Sequence, residues 1–232
     1  MSGRLASFRG PSTPTSSPVQ SRVPSNPSSP SKHLETTYHR KVRTTLQELR
    51  SVAKTWDDLV TVDGLKAIKS LVDTRTELEN ALHIMPLGEL PKTHMVGPAL
   101  VIMEKRLMEL DIVVQKLRKQ FSKMNALIEG LEESFYEAHK TKGWAWVHSE
   151  PLWCTWSFET FVSKLPELLP PYHRSISMHI NQVEVIRKQY LNFEASRDIV
   201  TLWVAQPHLE EAGWDIEWED ICTAEVERWH GR

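Results

Sequence analysis

Leu100, Met103, Leu107, Leu110, Val114, Leu117, Phe121, Met124, Ile128, Leu131 and Phe135 recur at alternating spacings of three and four residues, without a miss. This gives five heptads with every a and d position apolar, the pattern of a helix packed along one seam. The pattern predicts a helix from Pro98 to about Lys140, roughly 65 Å long at 1.5 Å per residue. Pro98 suits a first helical turn, where a missing N–H costs little. The neighbouring positions Val113 and Leu127 are apolar as well, so the buried stripe is wider than a two-stranded seam needs. Packing into a three- or four-helix bundle is the expectation.

A second stripe comes earlier. Leu34, Tyr38, Val42, Leu46, Leu49, Ala53, Trp56 and Val60 share one helical face. Asp63-Gly64 reads as an interruption, with Asp63 placed to cap a second helix that carries Leu65, Ile68, Leu71 or Val72, Leu78, Leu82 and Met85. Pro86, Gly88, Pro91, Gly97 and Pro98 mark residues 86–98 as a loop. Gly143 ends the long helix. Trp144, Trp146, Trp153 and Trp156 then crowd around Pro151, and a new helix is expected near Thr155 or Ser157. Pro166 and Pro170-Pro171 should break or kink it. Tyr172, Ile176, Ile180, Val183, Ile186, Tyr190 and Phe193 continue helical spacing. Asp198 is placed to cap a short helix through Trp203, and Trp214, Trp218, Ile221, Cys222, Val226 and Trp229 define a last amphipathic helix. No strand signal competes. The expected fold is all-α: long antiparallel helices in a coiled-coil or helical bundle over 34–142, a Trp-rich helical region over 143–232, and a disordered arm over 1–33.

The arm follows from composition. Residues 1–33 hold ten Ser, two Thr and six Pro with almost nothing to bury, too little to offset the ordering entropy. Ser29-Pro30-Ser31-Lys32 fits the full proline-directed kinase pattern, and Thr13-Pro14 and Ser17-Pro18 the minimal one. Phosphate there would reverse the sign of a basic arm. Charge is uneven along the chain: residues 1–54 carry nine Lys/Arg against two acids, whereas 207–232 carry eight acids against two Arg. Charged partners, or one end attracting the other, are implied. Cys154 and Cys222 form no C-x-x-C pair, which fits a reducing compartment. The longest apolar run is Ala99 to Met103, far short of a membrane span, and the Ser/Pro-rich start has no apolar stretch of the secretory kind.

The glycines are not spaced for a phosphate-binding loop. There is no G-x-S-x-G elbow and no H-E-x-x-H. His148, Glu150 and Cys154 match no zinc spacing. Glu210-Glu211 and Glu219-Asp220 read as exposed-helix composition rather than acid/base pairs. Catalytic residues, metal and cofactor are therefore all expected to be none. Lys116, Arg118, Lys119 and Lys123 could meet nucleic acid, but lack the interleaved aromatics of a strand-binding surface. Eight of the nine Trp lie after residue 143. Trp156 and Trp203 read as core, and Trp214, Trp218 and Trp229 as a face that meets a partner.

Pro151-Leu152-x-x-Thr155-Trp156, followed by Phe161, Leu168 or Leu169, Tyr172 and then Trp203-x-x-Gln206-Pro207, resembles the cyclin-dependent kinase 2-interacting protein family. Trp56-x-x-Leu59 leading to Gly64, and Lys123-Met124-x-x-Leu127, fall where that family has similar residues. The resemblance spans roughly residues 45–229 in layout and is specific over 151–207. It does not extend to the arm or to 86–98. It implies a nuclear, non-enzymatic adaptor tied to cell-cycle kinases, DNA replication, the damage checkpoint and an AAA-type ATPase assembly in ribosome maturation. Trp156, Trp203, Gln206 and Pro207 are the positions it carries over. A structural coiled-coil subunit of a kinetochore or spindle complex is the alternative, and a nucleic-acid-binding protein a third reading.

Overall fold

The computed structural model describes residues 35–86, 93–188 and 191–226, all within one compact unit, Glu35–Arg232. The candidate phosphosites Thr13, Ser17 and Ser29, together with Trp229 and Tyr190, lie outside the described residues. The fold is all-α. Among the described residues the only extended pairing is an isolated bridge between Pro151 and Ser157.

Helix α1 (Thr37–Asp58) starts at an N-cap, Thr36, whose hydroxyl accepts from the His39 N–H. The His39 ring completes the reciprocal cap: Nδ1 accepts from the Thr36 backbone N–H at 3.3 Å, and Nε2–H donates to the Leu152 carbonyl at 2.7 Å. The chain then runs without a break through a π-helical turn (Leu59–Gly64) into α2 (Leu65–His83). The expected interruption at Asp63-Gly64 is therefore absent. Gly64 keeps helical angles, and Asp63 is exposed and pairs with Lys116 at 3.4 Å instead of capping a helix.

Helix α3 (Thr93–Lys142) is 50 residues long, about 75 Å at 1.5 Å per residue. It begins before Pro98, so residues 93–97, expected in a loop, are helical and Pro98 lies inside the helix. Long-range pairs fix its direction: Tyr38 with Thr141, Lys41 with Glu137, Glu48 with Lys123, Asp63 with Lys116 and Ser70 with Arg106. Helix α3 thus runs antiparallel to the α1–α2 rod.

Short helix α4 (Trp144–His148) follows Gly143, whose φ of 89° reverses the chain at the end of α3. The loop 151–157 leads to α5 (Phe158–Lys164), which begins next to Ser157, one of the two expected starts, and is capped by the Ser157 hydroxyl. A 3₁₀ turn (Leu165–Leu168) holding Pro166 separates α5 from α6 (Leu169–Ile186). The pairs Phe121–His173 and Asp111–Arg187 set α6 antiparallel to α3, completing a three-layer core. The apolar spacing through Phe193 does not extend α6. A separate α7 (Phe193–Ala205) begins there, capped by Asn192, while Asp198 sits inside it. An Asn side chain one residue before the first turn reaches the Ala195 N–H, which outcompetes a cap six residues later. Short α8 (Pro207–Glu210), α9 (Trp214–Asp220) and a second π turn (Ile221–Val226) finish the described chain.

From Met103 on, the heptad seam packs within the chain, whereas Leu100 is exposed. Leu110, Val114, Leu117, Met124, Ile128 and Leu131 are buried, and Leu107 and Phe121 are half-buried. Their partners are α1, α2 and α6. No described helix is long and apolar enough to cross a membrane.

Candidate functional site

Of the residues singled out by sequence, Trp203, Gln206 and Pro207 meet the long rod at and beside its π turn. In an α-helix the Val60 carbonyl would accept from Gly64. Here the turn is widened by one residue and the Leu65 N–H bonds Val60 instead. The same carbonyl also accepts the indole N–H of Trp203 at 3.0 Å. Trp203 has no exposed surface, and its ring lies 4.4 Å from that of His179. The absent Cβ of Gly64 makes room for that indole. A Cβ built there would stand 2.6 Å from Cζ2, 2.8 Å from Nε1 and 2.9 Å from Cε2 of Trp203. Alanine normally stabilises a helix interior over glycine by about 1 kcal/mol. At Gly64 the sign should reverse, because overpacking costs about 1–3 kcal/mol. Urea unfolding of Gly64→Ala is expected to show a lower midpoint, and a raised one would contradict this packing.

Three residues after Trp203, Gln206 stands in the left-handed region (φ 43°, ψ 53°), where it ends α7 and starts α8. A non-glycine residue held there costs of order 1 kcal/mol or more. Its amide supplies the compensation. Oε1 accepts from the Trp56 indole at 3.0 Å, and Nε2 donates to Asp57 at 3.3 Å. Pro207 fits the first position of α8, with its φ preset and no N–H to satisfy. Trp56 is itself fully buried and meets Tyr172 edge-on at 5.0 Å. The Trp-x-x-Gln-Pro motif is thus a clamp. It fastens α7 and α8 onto the rod through two indole hydrogen bonds made in the interior, where unmade bonds are costly.

His179 lies under this clamp on α6, buried, and its Nδ1–H donates to Gln182 Oε1 at 3.2 Å. Burial depresses its pKa to about 4, offset in part by the Gln182 contact. The unfolded chain, with an ordinary value near 6.5, therefore binds a proton that the folded chain refuses between those pH values. Stability is present above about pH 6.5 and is lost as the pH falls toward 4, by up to about 3 kcal/mol. Chemical denaturation across this range should show that slope, and His179→Leu should flatten it.

Trp156 is half-buried, with its ring 5.2 Å from Phe161. Trp218 is half-buried and packs against the core cluster, so it is turned further inward than a free face would be. The side chain of Trp214 is outside what the structure describes. Sequence patterning missed Glu225. This buried carboxylate accepts from the Thr155 N–H at 2.9 Å, the Trp156 N–H at 3.1 Å and the Thr155 hydroxyl. Its partners lie about 70 residues away in sequence, so no local pattern could reveal it.

Two surfaces remain open. Val101, Met108 and Ile112 on α3 are 66%, 61% and 49% exposed. At 100° per residue they fall together, roughly opposite Leu110, Val114 and Leu117. Tyr136, near the other end of α3, and Trp144, which opens α4, are exposed, and Trp144 stacks on His148 at 4.8 Å. Among the described residues no three His, Cys, Asp or Glu are grouped to hold a metal ion. No family model matches the chain, and no curated protein matches it. The resemblance stated above therefore rests on the motif residues themselves.

Proposed function

We propose that this protein is a non-enzymatic adaptor subunit of a nuclear complex, as its resemblance to the cyclin-dependent kinase 2-interacting protein family implies. The observation that carries the reading is the second apolar stripe of α3. The inner seam is satisfied within the chain, yet Val101, Met108 and Ile112 continue a spacing of seven and four on the outward side. Apolar side chains at that spacing fit one helix of a partner subunit. The Trp203–Gln206–Pro207 motif supports this reading indirectly. It builds the scaffold, which leaves partner contacts to the exposed stripe and to Trp144 and Tyr136. The expected partners are helical subunits of a larger assembly, with an AAA-type ATPase acting in ribosome maturation or replication first among them and a cyclin-dependent kinase complex second.

The test is affinity purification of the tagged full-length protein from its native cells, beside a Val101→Glu/Met108→Glu variant. Recovery of an AAA-type ATPase with pre-ribosomal or replication factors, lost in the variant, is expected. Recovery of only long-helix proteins of a kinetochore or spindle complex would favour the structural-subunit alternative. An unchanged set of partners in the variant would overturn the role of the stripe.

A further inference from the structure

The contact between Glu225 and the loop before α5 is built like a receptor for a carboxylate. The loop 151–157 is closed by the Leu152 N–H donating to the Trp156 carbonyl at 2.9 Å and by the Pro151–Ser157 bridge. This closure turns two successive backbone N–H groups, of Thr155 and Trp156, toward one point, with the Thr155 hydroxyl beside them. Successive amides aimed at one point make an anion nest. They are not the helix's own orphan donors, because the α5 amide of Thr160 is already served by the Ser157 hydroxyl. The nest is filled by a carboxylate that is itself only 5% exposed, and among the described residues no cation pairs with it. Three neutral donors therefore hold a buried charge, a costly arrangement unless all three are in place.

What brings Glu225 there is a slender segment: the seven-residue helix α9 and the six-residue π turn that follows. Ile221, Cys222 and Val226 are buried on its inner side, while Ile216 is exposed. Ile221, Cys222, Val226, the half-buried Trp218 and one carboxylate offset the ordering entropy of the segment. Helix α3, by contrast, buries side chains from Met103 through Ala138. Local opening is therefore expected to be much easier for this segment than for α3.

We propose that the Thr155–Trp156 nest and the apolar seat beside it form a docking site for an acidic amphipathic helix of a partner protein, and that residues 214–226 occupy this site in cis as a displaceable strap. The chemistry of the partner is read from the strap: apolar residues four and five apart, as Ile221, Cys222 and Val226 are, with a glutamate between them that reaches the nest. The proposal stands independently of the adaptor reading, since its test uses only this chain and a peptide of its own sequence.

The probe is a fluorescently labelled peptide of residues 210–228, titrated by anisotropy against the full-length wild-type chain and its Glu225→Gln variant. The variant keeps the shape of the side chain but removes the charge that the nest receives. The peptide should bind the variant at least about tenfold more tightly than the wild type, whose own strap competes, in line with the loss of a charge-assisted hydrogen bond. The same peptide carrying Gln at position 225 should lose that affinity. Equal binding to both chains, or binding unaffected by the Gln in the peptide, would overturn the proposal. Hydrogen exchange on the wild-type protein gives a second reading that does not depend on a variant folding. The amides of 214–226, with those of Thr155 and Trp156, should open at denaturant concentrations that leave α3 protected. If they exchange only with global unfolding, the segment is an integral part of the fold and not a strap.

Discussion

Replacing Trp203 by alanine is expected to cost about 3–5 kcal/mol of stability, the upper range for truncating a fully buried aromatic. Three losses combine. The indole leaves a cavity between α6, α7 and the rod, because its ring is wholly enclosed and lies tilted against that of His179. The Val60 carbonyl keeps its Leu65 partner but loses the indole donor that the widened turn serves. Gly64 is left with an empty face, so the glycine keeps its helix-weakening entropy without the packing that offset it. Urea titration followed by circular dichroism should register the loss as a large fall in midpoint. Total stability of a domain is about 5–15 kcal/mol, so the variant should also accumulate poorly in cells. A loss under 1 kcal/mol would mean that the ring is not enclosed as described.

Val114→Asp is the second large effect, expected at about 3–5 kcal/mol, because a charge placed in the seam would have no partner. Val114 is buried between Leu110 and Leu117 on the face of α3 that meets the other long helices. Ile112→Asp, two residues away and half exposed on the outward side, is the control. Its cost should be well under 1 kcal/mol in the isolated protein. Thermal melting of the pair separates the inner seam from the outer stripe. Equal melting temperatures would show that the two faces are not distinguished as described.

The legible parts of the fold were those written in strict period. The seam from Leu107 to Leu131 repeats at three and four for many turns, and a face of that length admits only one helix orientation. The start of α5 near Ser157 was legible from local sequence as well. Elsewhere glycine and proline misled. Gly64 reads as a breaker from neighbours in sequence, but its role is set by Trp203, which arrives from a distant helix. Pro98 sits among so many turn-formers that the helix start five residues earlier was hidden. Asp198 and Asn192 are both competent caps, and only the end of α6 at Ile186 decides between them.

The site was half legible. Trp203, Gln206 and Pro207 stood out as a motif, but their work depends on Trp56, nearly 150 positions away. Gln206 has to accept from one residue and donate to its neighbour while holding a left-handed backbone. A side-chain amide meets the first two demands together, which a carboxylate or a hydrocarbon of similar size cannot. Nothing within a window of ten residues states them. Glu225 was harder still, since a glutamate on an acidic segment looks like any solvated one until the Thr155–Trp156 amides are placed opposite it.

The central claim is that Trp-x-x-Gln-Pro serves the fold as a clamp between α7 and the rod. The most direct test is a double-mutant cycle with Trp56→Phe, Gln206→Ala and the pair, measured by urea unfolding of the full-length chain. The clamp predicts a coupling energy of about 1 kcal/mol or more, since either substitution alone already breaks the shared buried hydrogen bond. Additive losses, with a coupling near zero, would show that Trp56 and Gln206 do not act on each other, and would return the motif to the list of candidate partner contacts.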